Sequence, residues 1–260
     1  MKKPTLILLS VLFAAVNLYA QNLYIHKTDG NTVEIPLSQI DSITFTNGGG
    51  GGFVCGSSTV NDIDGNVYTT VPIGSQCWLG SNLKTTKYSD GSDIPLITDA
   101  SVWDTLMMPG FAWYDNNQSN KDPYGGLYNW FSIDNISNGG KNVCPAGWHV
   151  PTDAEWTTLT DFLGGLGAAG GKLKEAGTAH WNDPNSGATN ETGFTALPGG
   201  YREISGPFVA MGNLGRWWST DAHPGFGSSS YFRGMSYNST SVLRNFLVKK
   251  HGFSVRCLKD

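Results

Sequence analysis

The chain has 260 residues, with 17 Lys and Arg against 21 Asp and Glu, a formal charge of −4. That acidic balance argues against nucleic acid or anionic lipid as the main partner. Charged residues make up only 15% of the chain while glycine numbers 34, which suits a loop-rich extracellular fold better than a helical cytosolic enzyme.

At the N-terminus, Lys2 and Lys3 precede an apolar run from Leu6 to Val16, and Leu18-Tyr19-Ala20 leads into the polar Gln21. This is the pattern of a secretory signal covering 1–20 and cleaved after Ala20. The run is shorter than the roughly 20 residues that span a bilayer, and no cysteine follows the cleavage point to carry a lipid. The expected mature chain is therefore secreted, at the cell surface or periplasmic, with no membrane insertion. Residues 21–46 read as a small β unit. Leu23 and Ile25, then Val33 and Ile35, alternate around Asp29-Gly30-Asn31, whose Asp-Gly favours a tight hairpin turn; Ile40, Ile43 and Phe45 offer a third strand. Five consecutive glycines lie within Asn47 to Gly52, so 47–54 is expected to be a linker, leaving 55–260 as the main domain.

Within that domain Asp62-Ile63-Asp64-Gly65-Asn66 is expected to turn a hairpin whose return strand is Val67–Val71. Asp-x-Asp-Gly also opens calcium loops, but the twelfth position, where a bidentate Glu is needed, is Ile73. The clearest helix starts at Thr152: Thr152 and Glu155 form a capping box, and Trp156, Leu159, Phe162 and Leu163 recur at helical spacing before Gly164-Gly165. Trp156 is thereby assigned to the core. A second short helix is expected near Lys172–Ala176, and strands at Phe194–Leu197 and Gly252–Arg256. The fold class is α+β, with short strands, few helices and long loops.

Four cysteines, Cys55, Cys77, Cys144 and Cys257, in an exported chain are expected to form disulfides. Three connectivities are open; Cys55–Cys77 with Cys144–Cys257 is the expected one, a local staple plus a tie from mid-domain to the end. No Cys-x-x-Cys occurs and the histidines His26, His149, His180, His223 and His251 are scattered, so neither a metal nor a cofactor is expected.

Several stretches in order, Asp62–Pro95, Tyr124–Trp130 (YGGLYNW), Cys144–Trp156 (CPAGWHVPTDAEW), Gly193–Arg202 (GFTALPGGYR) and Gly252–Cys257 (GFSVRC), resemble the Fibrobacter succinogenes major paralogous domain, a family of exported bacterial domains. The resemblance covers most of the main domain. Leu79–Leu83 departs from the family's Met-x-Glu-Asn-Leu, and Trp217-Trp218-Ser219-Thr220-Asp221 is a shortened form of its Trp-Trp-Ser-Ser-Thr-Glu. The family is similar in turn to the formylglycine-generating-enzyme type of C-type-lectin-like fold, through Val150–Trp156 and the closing Gly-Phe-x-x-Arg-Cys. That similarity implies small sheets and two helices carrying variable loops, and does not by itself imply a function.

Catalysis by that analogy needs a reactive cysteine pair late in the chain, where only Cys257 stands, or the clustered histidines of iron sulfoxide synthases, which are absent. No Gly-x-Ser-x-Gly elbow occurs. A carboxylate pair drawn from Glu155, Glu175, Glu191, Glu203 and Asp221 stays open, although Glu155 is assigned to the cap. Trp181-Asn182-Asp183-Pro184-Asn185 contains pieces of lectin calcium motifs, but overlapped in one stretch far from Cys257, as an Asx-Pro turn would be. The expected function is non-catalytic binding of an extracellular glycan or protein through aromatic residues. The candidates are Trp217, Trp218, Tyr201 and Tyr231, with Phe232 and Tyr237 nearby in sequence and Arg202, Asn190, Glu191 and Arg233 as polar neighbours. Adjacent Trp217 and Trp218 on a strand point to opposite faces, which leaves one of them available to solvent. The alternatives are a structural component of an extracellular assembly and a divergent formylglycine-generating-type enzyme.

Overall fold

A computed structural model describes residues 22–26, 30–37 and 52–260. The expected signal at 1–20, the third strand through Ile40, Ile43 and Phe45, and the glycine run up to Gly51 lie outside them. The chain divides into two units, Met1–Gly52 and Phe53–Asp260. In the first, β1 (Asn22–His26) pairs antiparallel with β2 (Thr32–Pro36), placing Leu23 opposite Ile35 and Ile25 opposite Val33 as the alternation requires.

The second unit is α+β, mostly sheet with few helices. One five-stranded sheet contains β3 (Thr59–Asn61), β4 (Val67–Ile73), β5 (Gln76–Leu79), β8 (Trp148–His149) and β14 (Leu258–Lys259), in the order β3-β4-β5-β14-β8. A two-stranded ribbon joins β6 (Phe111–Ala112) to β7 (Leu127–Tyr128). The other five-stranded sheet is built from β9 (Gly199–Arg202), β10 (Phe208–Met211), β11 (Leu214–Ala222), β12 (Ser229–Ser236) and β13 (Val242–Val248), in the order β10-β9-β11-β12-β13, so β13 is an edge. The described helices are α1 (Ala100–Thr105), α2 (Lys121–Tyr124), α3 (Asp153–Phe162) and α4 (Leu166–Leu173).

The β3–β4 hairpin forms where the Asp-x-Asp-Gly stretch predicted it. Asp62 accepts from the Asp64 and Asn66 backbone N–H groups at 3.0 and 2.9 Å and from the Tyr68 hydroxyl at 2.7 Å, so its carboxylate organises the turn. Helix α3 opens with the Thr152–Glu155 capping box and buries Trp156 and Leu159 completely. Phe162, expected on that apolar face, is instead 64% exposed and rests against Gly74, whose missing side chain leaves the ring room. The second helix, α4, starts after Gly165 and stops at Leu173, earlier than the expected Lys172–Ala176. It stops because Lys174 turns extended and points its ammonium inward to the carbonyls of Ser186, Ser236 and Ser239, at 3.1, 3.0 and 2.9 Å.

Two expected strands are not regular. Phe194–Leu197 makes one bridge, Lys174 with Ala196, because Thr195 is held left-handed at φ +52° and breaks the extended run. Gly252–Arg256 bridges residue by residue to different neighbours: Gly252 to Arg202, Phe253 to Tyr128, Ser254 to Trp217. The C-terminal segment thus threads between the two large sheets before Leu258 pairs with Trp78 and His149. Both disulfides join as expected, Cys55–Cys77 and Cys144–Cys257, the second anchoring this threaded segment to the loop that precedes β8.

Two apolar clusters fill the unit, one around Trp130, Trp148, Trp218 and Phe253, the other around Trp78, Trp156, Trp181 and Trp217. Strand β11 runs between them. All nine tryptophans of the chain are at most 5% exposed, so the tryptophan richness is core material. Burying each ring contributes on the order of 2–3 kcal/mol before entropy is counted.

Candidate functional site

Four of the five stretches that make the sequence recognisable meet, together with Trp217, at one buried point. Asn82 Oδ1 accepts from Trp217 Nε1 at 2.8 Å and from Arg256 Nη2 at 2.9 Å, while Asn82 Nδ2 donates to the Tyr124 carbonyl at 2.8 Å. Arg256 also donates through Nη1 to the carbonyls of Leu79 and Phe194 at 2.9 and 2.6 Å. These residues come from five separate segments of the chain. Arg256 is fully buried and has no carboxylate among its hydrogen-bond partners, and desolvation pulls its pKa down to about 9. The departure at Leu79–Leu83 keeps Asn82, so the junction survives it. These motifs build the scaffold.

The candidate binding residues fare differently from one another. Trp217 and Trp218 do point to opposite faces of β11, but both faces are covered: each ring is 0% exposed, and their indole N–H groups donate to Asn82 Oδ1 and to the Tyr128 carbonyl. Neither can present a face to a ligand, which corrects the expectation that one reaches solvent. Phe232 is buried with Trp218. Arg202 is buried too, its guanidinium between the Trp103 and Phe208 rings at 4.4 and 4.7 Å and hydrogen-bonded to the carbonyls of Ile97, Thr98 and Gly206. Burial lowers its pKa to about 10. Asn190 is a brace: its amide accepts from Thr195 N at 2.9 Å and donates to Thr195 Oγ1 at 3.0 Å, holding the left-handed Thr195. Glu191 is exposed on the same loop and pairs with Lys172 at 3.3 Å. Tyr201 is half-buried beneath Arg216, whose guanidinium carbon lies 3.8 Å from its ring centre.

Tyr231 is the candidate that the structure places in an accessible aromatic group. The pairing of β12 with β13 sets Tyr231 opposite Phe246 and Arg233 opposite Arg244, all four on one face. A register irregularity in β11 between Trp218 and Ala222 leads into the loop that adds His223 and Phe226. His223 lies 3.9 Å from the Phe246 ring centre and 5.2 Å from that of Tyr231. Phe226 stacks on Phe246 at 5.3 Å and 16° and is 57% exposed. Arg244 covers Tyr231 at 4.5 Å.

A partly buried charge network holds this surface from behind. Asp153, the first residue of α3, receives Arg233 Nη1 at 2.6 Å and Arg244 Nη2 at 2.6 Å. Arg233 is 0% exposed, so it supports the surface and does not meet a ligand. Burial alone raises the Asp153 pKa, but the hydrogen bonds and charges of Arg244 and Arg233 outweigh it and hold the carboxyl below its ordinary range. Tyr231 and Arg233 were legible in sequence; His223, Phe226, Arg244 and Phe246 were missed. The available signal was the alternation Val242, Arg244, Phe246 along the stretch that folds as β13.

All four cysteines are in disulfides. Among the described residues no group of three or more His, Cys, Asp and Glu is placed to hold a metal, and no helix is long and apolar enough to cross a membrane. In the Trp181–Asn185 stretch, Asp183-Pro184 is a cis peptide, and the Asn185 amide donates inward to the carbonyls of Glu175 and Gly177 at 2.8 and 2.6 Å.

Comparison with curated proteins and with solved structures found no match. Residues 71–259 match the Fibrobacter succinogenes major domain, and the chain belongs to that family.

Proposed function

We propose that the protein is an exported, non-catalytic binding module that recognises a glycan through the surface of Tyr231, His223, Phe226, Arg244 and Phe246, on a C-type-lectin-like scaffold related to the formylglycine-generating type. The observation that carries this reading is the stacked pair of exposed Phe226 on half-buried Phe246, flanked by Tyr231 under Arg244. Flat rings with polar edges take the apolar faces of sugar rings, and the guanidinium adds directional donors. Their base is rigid, because three of the five side chains stand on β12 and β13 and Arg244 is tied to Asp153. Export is supported by the signal pattern at 1–20 and by two disulfides, which persist in oxidising compartments. A non-catalytic role is supported by the absence of a free thiol and by the engagement of Glu155 and Asp153 in the α3 cap and the arginine network.

The test is a glycan array probed with the chain lacking 1–20, beside its Tyr231→Ala and Phe246→Ala variants. Selective binding by the parent and loss in both variants supports the reading. Binding that survives both substitutions, or no glycan bound at all, overturns it, and the second outcome leaves a protein ligand or a structural role in an assembly.

A further inference from the structure

The aromatic surface around Tyr231 stands on a charge cluster that is matched within itself. Asp153 takes Arg233 Nη1 on Oδ1 at 2.6 Å and Arg244 Nη2 on Oδ2 at 2.6 Å, and Arg244 Nε lies 3.0 Å from both of its oxygens. Asp221 Oδ2 accepts from the Asp153 backbone N–H and faces Arg233 as a second negative charge. Two arginines thus meet two aspartates. Lys249, just beyond β13, turns its ammonium to the apolar cluster on the other face of the sheet, 4.1 Å from the Trp130 ring centre. In His223, Nδ1 accepts from Gly225 N at 3.1 Å, an arrangement of the neutral ring in which Nε2 is the donor.

This balance fixes what Arg244 can offer. Its guanidinium commits one edge, Nε and Nη2, to the Asp153 carboxylate, and no carboxylate lies on the other edge among the described residues. The outer edge keeps N–H donors in one plane, spaced for two adjacent hydroxyls. An acidic group placed there meets a guanidinium whose charge is already balanced, and the Asp153 carboxylate repels it from behind. The chain is acidic as a whole, with a formal charge of −4, so the long-range field gives an anion no help. Uncharged hydroxyls meet neither obstacle, and Phe226, 57% exposed, supplies the apolar platform beside them.

We infer that the Tyr231 surface selects an uncharged pyranose over an acidic one, with the apolar face of the sugar on Phe226 and two neighbouring hydroxyls on the outer edge of Arg244. Asp153 is the positioning residue that holds this edge outward. The inference rests on the glycan reading above and narrows it.

The experiment is ligand-observed saturation-transfer NMR with the methyl β-glycosides of D-galactose and D-glucose against those of D-galacturonate and D-glucuronate, on the chain lacking 1–20. The neutral sugars are expected to bind about threefold or more tighter than their uronate counterparts, the fold-change that one like-charge contact at a surface supports, and equally well at low and high salt. Arg244→Lys keeps the charge and loses the fork, and should weaken the neutral sugars about fivefold or more; Arg244 is exposed enough for folding to tolerate the change. Asp153→Asn, or Asp221→Asn where the first does not fold, leaves one positive charge unmatched and should reverse the order in favour of the uronates. Uronates bound more tightly by the parent, neutral binding that survives Arg244→Lys, or an unchanged order in the folded charge variant overturns the inference and leaves the glycan reading standing. No binding of any of the four sugars overturns it too, and the glycan array then decides the glycan reading separately.

Discussion

Arg256 donates through Nη1 to the carbonyl of Phe194 at 2.6 Å while its guanidinium lies 4.1 Å from the centre of the Phe194 ring. One side chain thus fastens the closing Gly-Phe-Ser-Val-Arg-Cys segment to the Gly-Phe-Thr-Ala-Leu segment by a hydrogen bond and a cation–π contact together. Lys174 and Arg202 do the same elsewhere, each buried and each bonded to carbonyls from loops distant in sequence. In a domain with little helix, buried cations supply donors to carbonyls that regular ladders leave open.

Arg256→Met is expected to lower stability by about 3–5 kcal/mol, since the Leu79 and Phe194 carbonyls lose their donor in a dry interior and Asn82 keeps only part of its own. Arg256→Lys should recover little, because an ammonium cannot reproduce the fork to Asn82 and two carbonyls. Urea unfolding midpoints check both. A midpoint within experimental error of the parent would remove this junction from the account.

The two disulfides should contribute unequally. Cys55 and Cys77 are 22 residues apart and Cys144 and Cys257 are 113 apart. Chain-entropy arithmetic gives about 3.4 and about 4.8 kcal/mol respectively. The double Ser variant at 144 and 257 should therefore unfold at lower urea than the one at 55 and 77, and the reverse order would contradict the ranking.

Trp217→Ala and Trp218→Ala should each cost about 3–5 kcal/mol, because each ring fills a different apolar cluster and leaves a cavity. The same substitution at Phe246, half-buried at the edge, should cost much less. Differential scanning calorimetry on the three variants measures this; a mild Trp218→Ala would mean that β11 is not covered on both faces.

His149 predicts a pH dependence. Burial pulls its pKa down, but Asp260 at 2.6 Å from Nδ1 and Glu155 at 3.0 Å from Nε2 outweigh that and raise it above 6.5. A raised folded-state pKa means that the stabilisation is fully present below pH 6.5 and is lost as pH rises through the folded value. Thermal midpoints of the parent should fall across that window and those of His149→Gln should not. The half-exposed ring keeps the effect small, and parallel curves for the two proteins would sink it.

How much of this was legible in sequence depended on the range of the interaction. The Thr152–Glu155 cap and the Asp62 hairpin are local chemistry, read from residues within one turn, and the family motifs located the main domain. Trp217 and Trp218 illustrate the limit: their alternation is the same whether a sheet is covered on one face or two, so burial of both was not readable. Tyr231 was visible as an aromatic residue, but its neighbours Phe246 and Arg244 join it through the β12–β13 register and Phe226 through a loop. Arg256 was legible only as part of the closing Gly-Phe-x-x-Arg-Cys motif, because nothing local announces that its partners are carbonyls from segments up to 177 residues away.

The recognisable motifs build the scaffold, and recognition is proposed for the Tyr231 surface. The most direct measurement is isothermal titration of the glycan selected by the array into the parent and into Phe246→Ala. The prediction is a loss of affinity of about tenfold or more, as for a central aromatic anchor, with folding retained. Unchanged affinity in a folded Phe246→Ala protein would contradict it.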